Sequence, residues 1–217
     1  LFRELGDWHT LADILSKSAN FLALNGNFEL AQKRLDEAIQ LNNQLQDKGV
    51  KANILYGYAQ ISKASGNYTQ AHAYLQGSLK IKEESGALVD TQWHRVQLGY
   101  LAMREGKLYE ACDIFLGSAQ NFQRDQNQAG DAFSLEGMAG WYVLINKPQD
   151  AARLIGWADA TRKKINDMRP LLEQTDVNKI VATCVAEMGE VAFSNCYEEG
   201  EKMMLDEVVI YALGKFY

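Results

Sequence analysis

The side chains best suited to chemistry are few and widely spaced. Histidines stand at 9, 72 and 94, no two of them three or four places apart, and no H-E-x-x-H occurs, so a helical metal-binding pair is not expected. Cysteines at 112, 184 and 196 form no C-x-x-C, and an odd number cannot close an all-internal disulfide framework. The nearest approach to a phosphate-cradling G-x-x-x-x-G-K-[ST] is "REGKL" at 104–108, which lacks the first glycine and has leucine where the hydroxyl should be. We therefore expect no enzyme, no cofactor and no metal. Other suggestive stretches have structural readings. "TRKK" at 161–164 places cations near a helix end, where they complement the dipole. "EEGE" at 198–201 reads as a solvated turn, "NYT" at 67–69 as a helix cap, and Cys112 as a small core residue.

Bulk properties narrow the partners. The chain has 217 residues, 47% of them hydrophobic and 23% charged, which suits a folded domain and not a disordered tail. A net charge of −6 argues against a nucleic-acid surface, since phosphate neutralisation needs concentrated Lys and Arg. No apolar run approaches the ~20 residues that cross a bilayer. No basic-then-apolar signal opens the chain, and a reducing cytoplasm is the expected location. The opening "LFRELGD" reads as the end of a helix whose beginning is missing, so a fragment of a longer protein is expected.

The elements follow from a repeat. Gly26, Gly66, Gly106 and Asn146 stand forty residues apart, with Ala31, Ala71, Ala111 and Ala151 five places after them and Ala19, Ala59, Gly99 and Ala139 seven places before. Glycine, and next asparagine, is the cheapest residue in the left-handed conformation that ends a helix. Asn27 and Asn67 can cap the following helix, and Pro148 suits a first helical turn. Small residues on either side of the turn let two helices approach closely, and Leu35, Leu75, Phe115 and Ile155 fill the next layer, before Ala38, Ser78, Ser118 and Ala158. Four helical hairpins are expected over 7–168, preceded by a helix stub at 1–6. Helical periods at 173–188, 190–199 and 205–215 are expected to form a C-terminal helical cap over 169–217.

This order of small, large, Gly turn, Ala, large and small resembles the tetratricopeptide repeat, with six residues added to its usual period of 34. The resemblance implies an all-α, right-handed superhelix, an α–α solenoid whose hairpins share a continuous core. It also implies a concave groove lined by the first helices, onto which Asp13, Ser16, Asn20, Asn53, Tyr56, Gln60, Lys63, Trp93, Tyr100, Arg104, Phe133 and Glu136 map. Aromatic rings among amides suit a peptide or docked helix. The Lys/Asn/Arg clamp that grips a C-terminal carboxylate in some members would need lysine where this chain has Ser16.

A second resemblance covers the C-terminal half. The stretches "AARLIGWADATR" at 151–162, "GEVAFSNCYEEG" at 189–200 and "LDEVVIYAL" at 205–213 are similar to the end of large, MalT-like bacterial regulators. In those, a LuxR-type or other output segment is joined to a signal-transducing ATPase and a long-period tetratricopeptide array. That implies a sensor arm that binds a protein, peptide or small inducer in its groove and controls an upstream ATPase. A stand-alone scaffold for protein–protein interactions is the alternative.

Overall fold

The computed structural model describes residues 2–214, and every element among them is an α-helix. A short α1 (Phe2–Leu5) precedes four hairpins: α2 (Trp8–Leu24) with α3 (Phe28–Leu45), α4 (Lys48–Ala64) with α5 (Tyr68–Glu84), α6 (Leu88–Arg104) with α7 (Leu108–Arg124), and α8 (Gln128–Leu144) with α9 (Pro148–Ile165). Then come α10 (Leu171–Met188), α11 (Glu190–Glu201) and α12 (Leu205–Gly214). The fold is all-α and tetratricopeptide-like.

The turns are more regular than the forty-residue spacing implies. Left-handed residues occur at Gly6, Gly26, Gln46, Gly66, Gly86, Gly106, Gln126, Asn146 and Asn166, one every twenty positions. The turns between hairpins are therefore built like those within them. At Gly26 the amide donates to the Ala23 carbonyl and the next amide, of Asn27, donates to Leu22. The same pair of bonds closes every other turn of the series except that at Gln46. There the Asn42 side chain substitutes, bonding the Asp47 amide at 3.0 Å and its carbonyl at 3.1 Å. Asn67 caps α5 as expected, whereas Asn27 makes no side-chain cap bond to α3. Asp7, Asp47 and Asn127 cap α2, α4 and α8.

The chain forms two compact units, one of residues 1–94 with 170–172 and one of residues 95–169 with 173–217. In the first, Ala12, Ala19, Ala23, Ala31, Leu35, Ala38, Val50 and Ile54 make a core flanked by Leu15, Leu22 and Ile61. Gly57 lets Leu35 of the preceding hairpin approach, since a Cβ there would stand 2.9 Å from Leu35 Cδ2. In the second unit Phe115 replaces leucine in the same column, and glycines make room for it. A Cβ at Gly99 or Gly137 would lie 2.7 or 2.3 Å from its ring. The extra volume of one residue is matched by absent side chains at two others.

The segment after α9 divides its work. Helix α11 crosses α9 with backbones in near contact: a Cβ on Gly156 would fall 2.1 Å from the Tyr197 carbonyl oxygen, and one on Gly200 2.0 Å from that of Arg153. "EEGE" thus lies inside α11 and holds a buried glycine, correcting the reading of a solvated turn. Tyr142 donates to the Ala212 carbonyl and Gln123 to Asp206, which seats α12 on the second unit. Helix α10 takes a different place, described below.

Candidate functional site

In the first unit the face of the first helices carries Asn20, Asn53, Tyr56, Gln60, Lys63 and Trp93. Asn53 is half-buried and its amide donates to Asp13 Oδ1 at 3.4 Å. Asp13 also pairs with Lys17 at 2.7 Å. Tyr56 stacks at a tilt on His94, with ring centroids 4.6 Å apart. His94 is buried and lies 2.8 Å from the Ser78 hydroxyl, which itself donates to the Ala52 carbonyl. Since that hydroxyl spends its proton on Ala52, the imidazole Nε2 is the donor to it. Lys63 and Trp93 are half-exposed. Gln60 is buried with neither amide atom partnered, and Asn20 Oδ1 is likewise unpartnered.

In the second unit the first helices carry Tyr100, Arg104, Phe133 and Glu136. Phe133 is buried, its ring 5.7 Å from that of Tyr100. Glu136 is fully buried and takes a bidentate grip from Arg162, at 2.7 and 3.1 Å, and one hydrogen bond from Arg169 Nε at 2.9 Å, with Arg169 Nη2 ion-paired to it at 2.8 Å. Arg162 also pairs with Asp167 and Glu173, and Arg169 with Asp159. Burial pulls Arg162 down in pKa, but the carboxylates of Glu136, Glu173 and Asp167 outweigh it and hold the guanidinium well above its ordinary value. The cation of "TRKK" is therefore half of a buried ion network, a stronger role than complementing a helix dipole.

Helix α10 lies against these first helices. Asp176 approaches Arg104 at 3.7 Å, and a Cβ on Gly140 of α8 would be 3.4 Å from Ile180 Cδ1. An open cavity of about 330 Å³ remains between α10, α6 and α8, walled by Tyr100, Met103, Val143, Leu144 and Thr183 among others. Desolvation, then the negative charges of Glu136, Glu173 and Asp176, keep the Tyr100 phenol well above the usual tyrosine range.

Sequence reasoning read Arg162 only as part of "TRKK" near a helix end and did not single out Arg169, Asp176 or Ile180. The signal for α10 was present as acids at 173 and 176 followed by apolar residues at 177, 180 and 184, one helical face. Cys112 is a buried thiol that burial pushes up to about 11, unsuited to act as a nucleophile near neutral pH. Among the described residues no helix is long and apolar enough to cross a membrane, and no group of three or more His, Cys, Asp or Glu is placed to hold a metal.

Residues 10–84, helices α2 to α5, match the family model described as tetratricopeptide repeat. The first two hairpins thus carry the repeat by sequence as well as by fold. No curated protein and no solved structure matches the chain.

Proposed function

We propose that the chain is a protein-interaction module that binds its partner on the face of the first helices, and that it serves as the sensing arm of a larger ATP-binding bacterial regulator. The observation that carries the interaction reading is the tetratricopeptide match over residues 10–84, coupled to a face of half-exposed aromatic, amide and cationic side chains at Asn53, Tyr56, Lys63 and Trp93. A partner protein, a peptide or a small inducer would meet the same groups.

The regulator reading rests on the stretches at 151–162, 189–200 and 205–213. Support comes from their packing: Gly156 and Gly200 of the first two belong to one close helix crossing, and Tyr211 of the third donates to Asp150 beside it. Further support is exposed apolar surface at Trp8, Ile14, Phe21 and Leu30, which the remainder of a larger protein would cover. Reading the coding frame upstream of Leu1 tests this. A nucleotide-binding module is expected there, whereas further repeats or an initiation codon would overturn the regulator in favour of a stand-alone scaffold. The interaction face is tested separately: Asn53→Ala with Lys63→Ala should weaken partner binding at least about tenfold with little change in Tm.

A further inference from the structure

Helix α10 has the features of a ligand that happens to be covalently attached. It presents Glu173, Asp176, Val177, Ile180 and Cys184 on one face, the i, i+3, i+4, i+7, i+11 pattern by which amphipathic helices enter grooves. Only Val177, Ile180 and Cys184 of its eighteen residues are buried. The receiving side supplies complementary groups: Arg104 of α6 for Asp176, Arg162 of the neighbouring α9 for Glu173 at 3.4 Å, and Gly140 of α8 opposite Ile180.

The seat is also incomplete. The cavity of about 330 Å³ beside Tyr100, Met103 and Leu144 is larger than a side chain, and of the α10 residues that line it, Asp176, Lys179, Ile180 and Thr183, the last is small. Unfilled apolar wall forfeits dispersion contacts, so the resident helix holds this face less tightly than a better-fitting one would. The connection allows departure: Gly189, at φ +81°, alone joins α10 to α11, and a Cβ on it would meet nothing within 4 Å.

We propose that the face of α6 and α8 is a helix-binding site occupied at rest by α10, and that it accepts a partner helix carrying two acids one turn apart followed by bulky apolar residues. The partner replaces α10, whose tethering gives it a high local concentration and so sets a threshold for binding. This deepens the interaction reading above and rests on it.

The test uses the full chain and a labelled synthetic peptide of residues 171–188. Ile180→Asp in the chain, which puts a charge against Gly140 and Met103 and frees the face, should raise affinity for the peptide by about tenfold or more over wild type. Adding Arg104→Glu should remove that gain, and a peptide bearing Thr183→Leu should bind more tightly than the native one. Equal binding to both chains, or none to either, overturns the proposal. Should Ile180→Asp impair folding, hydrogen exchange on the wild-type chain decides: excess Thr183→Leu peptide should speed exchange of the α10 amides and leave α8 and α9 unchanged. An α10 that stays as protected as before overturns it. A photo-reactive group at Asn53 that still captured a protein while α10 stayed closed would end this inference and leave the broader interaction reading standing.

Discussion

Asp131 is the residue whose chemistry is least compensated. Both of its carboxylate oxygens are buried without a partner, and burial lifts its pKa from 3.8 to about 7. Between those values the folded state keeps a proton that the unfolded chain releases, so this group's contribution to stability falls as pH rises from about 4 to about 7 and then levels off. Asp131→Asn should therefore raise stability at pH 8 by on the order of 2 kcal/mol and leave it unchanged near pH 4, as measured by urea unfolding at the two pH values. Glu136 is the opposite case, a buried carboxylate whose charge is fully used. Glu136→Gln takes the shared carboxylate from Arg162 and Arg169, leaving them Asp167, Glu173 and Asp159, and should lower stability by about 3 kcal/mol, with a matching fall in Tm. Gly156 and Gly200 are needed because carbonyl oxygens of the facing helix occupy the space a methyl would fill. Gly156→Ala or Gly200→Ala should each cost about 3 kcal/mol, whereas Gly117→Ala, with nothing within 4 Å, should be neutral or slightly stabilising.

At the scale of the element the governing rule is one helix and one left-handed residue per twenty positions. Half of that rule was legible. Gly26, Gly66, Gly106 and Asn146 announce themselves because those residue types favour positive φ. The alternate turns escaped because Gln46 and Gln126 occupy their left-handed positions with no compositional sign, which breaks the series that Gly6, Gly86 and Asn166 would otherwise complete. Asn42 bracing the turn at Gln46 shows how one such position is held by a side chain instead of by conformational freedom. It follows that Gln126→Gly should raise stability by about 0.5 kcal/mol and Gly66→Ala lower it by about 1 kcal/mol, read from chemical denaturation. Equal responses would mean that the two kinds of turn are not equivalent.

Over the whole chain, the hairpin cores were legible and the covering of their faces was not. Columns of small and large residues repeat because packing distances between neighbouring hairpins repeat, and Ala31, Leu35 and their counterparts are buried in both units. What covers a face is a one-time arrangement with no period to betray it. An acid on the outer side of a helix and an acid aimed at Arg104 look alike in a sequence, so α10 reads as part of a terminal cap. Glu136 reads as a groove residue because its partners Arg162 and Arg169 lie 26 and 33 positions away. The central claim is that the first-helix face is the working surface. A photo-crosslinking residue placed at Asn53 on α4 and, separately, at the exposed Gln76 on the outer helix α5 tests this most directly in living cells. A discrete protein adduct at position 53 and none at 76 is predicted. An adduct at 76 with none at 53 would contradict the account.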